Sequence, residues 1–180
     1  MRGLRSFPTA AELITEMERV LGGGRCASPL PWVALVTDLV GSNLEQWELE
    51  DATRDPVASD EEVAHAKRGI DRLNLGRHHL VEEIDASIAA GLDQPPDAPL
   101  ATESPGMVLD RLSVLVIRRS RTESASVRHS DYAERLPELD ARIADLSSAF
   151  DTYVGELQSG NRRFLPYEHF KLYRSDAAED

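Results

Sequence analysis

Apolar side chains in this chain recur every three or four residues, in runs bounded by helix start and stop signals, and no stretch alternates convincingly as a strand would. Thr9 with Glu12 forms a capping box, in which hydroxyl and carboxylate each satisfy a backbone N–H of the first turn. Leu13, Ile14, Met17, Val20 and Leu21 then keep helical spacing until Gly22-Gly23-Gly24 ends the run. Pro31, suited to a first helical turn, opens a second run through Trp32, Val36, Val40, Leu44 and Trp47 to about Arg54, where Asp55-Pro56 follows. Ser59 with Glu62 is a second capping box, leading Val63, Ile70, Leu73, Val81, Ile84 and Ile88 to Gly91. Thr102 or Ser104 caps a fourth helix, with Pro105 in its first turn, which Val108, Leu112, Leu115 and Val116 carry to about Arg121. After a serine-rich turn over 122–130, Leu136, Leu139, Ile143, Leu146, Phe150, Val154 and Leu157 define a fifth, with Pro137 at its start or at a kink.

The pattern predicts an all-α fold, a helical bundle of about five helices, with the second to the fifth as a core four-helix antiparallel bundle. The 180 residues suit one domain spanning the whole chain. Residues 92–104, with Pro95, Pro96 and Pro99, read as a mobile, extended proline-rich connection, and 174–180 as a disordered tail. The aromatic and basic segment Phe164 to Tyr173 is expected to pack across the bundle end.

Composition excludes several classes of partner. A formal charge of −12, from 20 basic and 32 acidic residues spread along the chain, opposes binding to a phosphate backbone, so nucleic acid is not expected. No run is long and apolar enough to span a bilayer, and Glu12, Glu16 and Glu18 interrupt any export signal, so a cytoplasmic setting without membrane contact is expected. Cys26 is the one cysteine, which precludes an internal disulfide. The triple glycine follows a helix and precedes no Gly-Lys-Ser, unlike a phosphate-binding loop.

The informative violations lie on the second and third helices. Advancing about 100° per residue from Val63, Ile70, Val81 and Ile88 brings Lys67, Asn74 and Arg77 close to the centre of the buried face. On the second helix, Asn43, Glu50, Asp51 and Arg54 fall on or beside the face set by Val36, Val40 and Trp47. Buried charge is costly unless paired, so these residues either form a closed salt-bridge network or line a polar site. In the site reading, Lys67, Arg77 and Arg111 hold an anionic group, and Glu50 or Asp51 serves as general acid or base. The two Glu-x-x-His motifs that a di-metal bundle requires are not both present, so neither a metal site nor a cofactor is expected.

Taken in order, Asn43 to Arg54, Lys67 to Asn74 with Arg77, Glu103-Ser104-Pro105-Gly106 leading to Asp110-Arg111-Leu112-Ser113, and Phe170-Lys171-Leu172-Tyr173 resemble the motifs of the bacterial DUF4254 family. The resemblance covers about residues 35 to 175. It implies an α-helical domain and, the family's function being unknown, no reaction. It also implies site positions, among them Asn43, Glu50, Asp51, Arg54, Lys67, Asn74, Arg77, Arg111 and Lys171. The chain departs from the family pattern at Leu75, at Ser104 and at His78-His79, which makes His78 a candidate for altered ligand choice. The expectation is a binding protein or enzyme with a core pocket for a small anionic metabolite, a phosphate or carboxylate. The alternative is a non-catalytic adaptor for a biosynthetic enzyme, in which the polar residues pair only with each other. The near-heptad stripe of the fifth helix makes a homodimer conceivable.

Overall fold

A computed structural model of the chain describes residues 7–169. Five α-helices account for most of them: α1 (Ala10–Leu21), α2 (Pro31–Thr53), α3 (Asp60–Ala89), α4 (Pro105–Ser126) and α5 (Leu136–Gln158), with a 3-10 turn, Ser130–Arg135, before the last. Both capping boxes form as expected, Thr9 with Glu12 and Ser59 with Glu62. The all-α bundle fold is therefore as the apolar spacing predicts.

Helix α4 runs five residues past the expected end near Arg121. Ser124 and Ser126 turn their hydroxyls back onto the carbonyls of Ser120 and Glu123, and Arg119 pairs with Glu123 one turn on, so the polar stretch stays helical.

Helices α2 to α5 alternate in direction. Leu49 of α2 lies against Gly69 of α3, Asp85 of α3 meets Gly106 of α4, and Arg119 of α4 pairs with Asp140 of α5. Helix α4 packs against every other helix, and α1 joins the core by inserting Leu13 and Met17 beside α2, α4 and α5. The core is a single cluster, built around Val36, Leu39, Val40, Ile84, Leu109, Leu112, Ile117, Phe150 and Leu157. After α5, Phe164 is buried as well, and the chain continues to His169 along α3.

On α2 the deeply buried positions stop at Asn43. Beyond it, the far halves of α2 and α3 face solvent over much of their circumference, with α4 along one side and Tyr132 of the 3-10 turn across a groove.

Two glycines permit close approach at very different cost. A Cβ on Gly69 would lie 2.6 Å from the Cδ1 of Leu49, a flexible tip, whereas one on Gly106 would meet the Asp85 carboxylate at 2.8 Å and the Val81 carbonyl at 2.9 Å. Gly69→Ala should change the unfolding free energy by less than about 1 kcal/mol, since helix propensity offsets the adjustment. Gly106→Ala should cost about 1–3 kcal/mol by forcing backbone and a bonded carboxylate apart. Urea denaturation of the two variants checks the contrast.

Candidate functional site

The polar groups of this fold converge on the first three turns of α4. Ser104 caps the helix by accepting from the Met107 N–H, and Pro105 fills the first helical position, where a missing N–H does no harm. Gly106 then brings this end of the helix onto α3, where Asp85 is fully buried. One oxygen of Asp85 accepts from the Gly106 N–H at 2.7 Å and the other from the Tyr167 N–H at 2.9 Å, while the Ser104 hydroxyl bonds the same carboxylate. Burial nevertheless holds this carboxyl above the ordinary aspartate value of 3.8.

Two turns further along, a polar seam joins α2, α3 and α4. The Asn43 amide, 6% exposed, donates to Asp110 Oδ1 at 2.9 Å and to Ser113 Oγ at 2.8 Å. The other oxygen of Asp110 faces Arg77 Nε at 3.9 Å. Every member of this group meets another, as a partly buried polar cluster requires.

The segment after α5 forms a strap across the same end. Arg163 exchanges backbone hydrogen bonds with Pro99 and Ala101, and the Phe164 N–H donates to the Gln94 side chain. On α3, Glu82 accepts from the His169 N–H, and His78 stacks with His169, ring centroids 4.3 Å apart. The Tyr167 hydroxyl lies 2.9 Å from His78 Nδ1. Burial, then the nearby charges of His169 and Arg77, lower the His78 imidazole below its ordinary 6.5, with Asp110 and Glu82 opposing. Neutral His78 can accept the tyrosine proton; a protonated Nδ1 cannot.

On the opposite flank of α4, an open cleft of about 660 Å³ runs between α4 and α5. Its walls carry Glu103, Arg111, Asp145, Ser148, Thr152, Tyr153, Glu156 and Arg162. Arg111 pairs with Glu103 at 2.6 Å and also borders an adjoining hollow with Arg142 and Asp145. Tyr153 donates to the Glu103 carbonyl at 2.8 Å, and burial followed by the Asp85 charge pushes its phenol far above the ordinary 10.0.

The expected convergence of charges inside the α2 and α3 pair does not form. Lys67 is 64% exposed and pairs with Asp71 on its own helix. Arg54 is 68% exposed and bonds Glu50 and Asp51 one turn back, each at 3.4 Å. Glu50, Asp51, Arg54 and Lys67 lie on the far halves of the two helices, where Ala66, Gly69 and Ile70 take the buried face of α3 and the charged side chains stand beside it, in reach of solvent. Periodicity assigns a face; it does not say how far along the helix that face is covered. Asn74 is half-buried beside Arg77 and His78, and Lys171 lies outside the described residues. Asn43, Arg77 and His78 do enter one polar region, and Arg111 lines the cleft behind it.

Asp85, Tyr153 and Tyr167 were not singled out by periodicity. Asp85 was detectable, since it stands on the Val81, Ile84 and Ile88 stripe as the polar intruder with the greatest burial. Tyr153 carries no such signal, because an aromatic on an apolar stripe reads as core, and Tyr167 is marked only as part of the aromatic segment Phe164 to Tyr173.

The family model described as "Protein of unknown function (DUF4254)" matches residues 33–165. The chain belongs to this family. No curated protein and no solved structure matches it.

Asp85 and His78 give stability terms of opposite pH sign. For Asp85 the folded chain holds its proton more tightly than the unfolded chain, so its contribution falls as pH rises above 3.8. Asp85→Asn leaves one donor unpaired and should cost about 1–3 kcal/mol. The urea-midpoint gap from the parent should be wider near pH 5 than near pH 8. For His78 the proton is held less tightly when folded, so its contribution is lost as pH falls below 6.5. Hydrogen-exchange protection at the Tyr167 and His169 amides should drop on acidification, and His78→Phe should flatten that response.

Proposed function

We propose that this DUF4254 protein binds a small polar metabolite bearing a carboxylate or phosphate in the cleft between α4 and α5, with Arg111 as the anion contact. The observation that carries the reading is the position of Arg111 in a 660 Å³ cleft, paired with a carboxylate that stands on the loop before α4. The volume falls within the range of small-molecule sites, about 300–1,000 Å³. Arg111 and Glu103 are 57% and 35% exposed, and an ion pair of that kind contributes only about 0–1 kcal/mol, so an incoming anion displaces Glu103 at little cost. A guanidinium also offers a bidentate fork suited to carboxylate or phosphate.

Arg162, paired with Glu156 on the other side of the cleft, supplies a second fork. Glu103, Asp145 and Glu156 outnumber the two arginines, so the fitting ligand pairs its anionic group with hydroxyl or amino groups. Ser148 and Thr152 add hydroxyls to the same wall. The reading concerns binding: Glu50 and Asp51, the expected acid or base, stand at the other end of α2.

An interaction protein is the second reading, favoured by the mutual pairing of Asn43, Asp110, Ser113 and Arg77, which leaves those groups engaged within the fold.

Thermal-shift measurements against phosphorylated and carboxylated metabolites test the first reading. A ligand at 100 times its Kd should add about 2.7 kcal/mol of stability. Arg111→Ala should abolish the shift without lowering the melting temperature of the free protein appreciably, and Lys67→Ala should keep it. A shift that survives both Arg111→Ala and Arg162→Ala would sink the cleft as the site.

A further inference from the structure

The middle of α5 carries a carboxylate that the rest of the fold leaves unused. The acidic side chains of this helix are Glu138, Asp140, Asp145, Asp151 and Glu156. All but one are engaged: Glu138 by Arg142, Asp140 by Arg119, Asp151 by the Ala10 N–H at the start of α1, and Glu156 by Arg162. Asp145 meets no hydrogen-bond or ion-pair partner among the described residues. Two arginines stand nearby and neither turns to it. Arg142, on the preceding turn, faces Glu138 with both its Nε and its Nη2, and Arg111 is held by Glu103.

Asp145 nevertheless has a defined place. With Ser148, Thr152 and Glu156 it forms one stripe of α5 along the cleft wall, the spacing being that of a single helical face. Of the charged residues on the cleft, only Arg111 and Asp145 also border the adjoining hollow, whereas Arg162 and Glu156 do not. A rise of about 16 Å along the helix separates Asp145 from Glu156. A small molecule therefore meets Arg111 and Asp145 together at one end and leaves the Arg162 pair at the other.

We infer that the ligand of this cleft is a zwitterion of the amino-acid type, its carboxylate on Arg111 and its ammonium on Asp145, so that Asp145 selects for an amino group. The inference rests on the cleft reading above and narrows it. Charge accounting carries the choice. An anion that takes Arg111 releases Glu103, and Glu103 and Asp145 then both face the ligand without a partner. A hydroxy acid or a sugar phosphate offers them neutral donors only and leaves both charges uncompensated. An ammonium offers three donors, enough to bond the two carboxylates, and supplies the missing positive charge. An amine without a carboxylate leaves the Arg111–Glu103 pair in place and gains only one solvent-screened carboxylate. A zwitterion uses both arms of the site.

The test uses the full chain and three matched sets of probes: the standard L-α-amino acids, the corresponding α-hydroxy acids and the corresponding amines, each titrated by NMR at neutral pH and fixed ionic strength. At least one amino acid should bind, and about tenfold more tightly than its hydroxy acid or its amine, as the loss of a charge-assisted contact implies. Asp145 is exposed and bonds nothing, so Asp145→Asn should fold as the parent does. It should weaken the amino acid by a similar factor and leave the hydroxy acid unchanged. Asp140→Asn, which removes the same charge elsewhere on α5, should change neither. The inference is overturned if no amino acid binds at millimolar concentration, if the hydroxy acid or the amine binds equally well or better, or if Asp145→Asn changes nothing. A hydroxy acid or phosphate bound instead, and lost in Arg111→Ala, would leave the cleft reading standing. Amino-acid binding that survives both Arg111→Ala and Arg162→Ala would overturn that reading too.

Discussion

A buried carboxylate organises the end of this protein at which α3, α4 and the strap meet. Asp85 faces the start of α4, where backbone N–H groups point outward unsatisfied, and it takes one of them at Gly106. Its second oxygen takes the Tyr167 N–H, so one side chain joins α3, α4 and the strap. The arrangement needs a residue without Cβ at position 106, because any larger one would strike the carboxylate and the Val81 carbonyl. Burial of a charge at this point costs free energy, which the hydrogen bonds and the positive end of the helix dipole offset in part. The upward displacement of the Asp85 proton affinity is the residue of that cost.

From this anchor the consecutive residues Asp110 and Arg111 diverge, about 100° apart on the helix surface. Asp110 enters the seam with Asn43, Ser113 and Arg77, and Arg111 reaches the opposite flank. The seam is closed upon itself and specifies how α2, α3 and α4 meet. The cleft side consists of partly exposed pairs that exchange partners cheaply. Arg162, next to the strap, brings the C-terminal segment into the same cleft wall. Strap, seam and cleft therefore share α4 as their common support.

Much of the fold was legible in local chemistry. Both capping boxes, Pro31, Pro105 and the near-heptad run to Leu157 announced helix starts and faces, because caps and periodicity act within a few residues of each other. The end of α4 is not legible in spacing, since serine, glutamate and arginine carry no apolar stripe, yet their side chains bond along the helix. Within the candidate site, Asn43, Arg77 and Arg111 were legible as polar or charged residues in unusual places. Glu50, Asp51, Arg54 and Lys67 were not placed correctly, because a helical face is a direction and its burial depends on what lies across from it.

The sequence by itself determined the helices, their apolar stripes and an acidic surface, all of which follow from spacing and composition. Only the tertiary structure decided which stripes are covered along their whole length. On the far halves of α2 and α3 only small or apolar residues such as Ala66, Gly69 and Ile70 are buried, so the polar intruders there meet water and one another, while Asp85 is sealed beneath α4 and the strap. Burial is a property of neighbouring layers, and no helix carries that information in its own period.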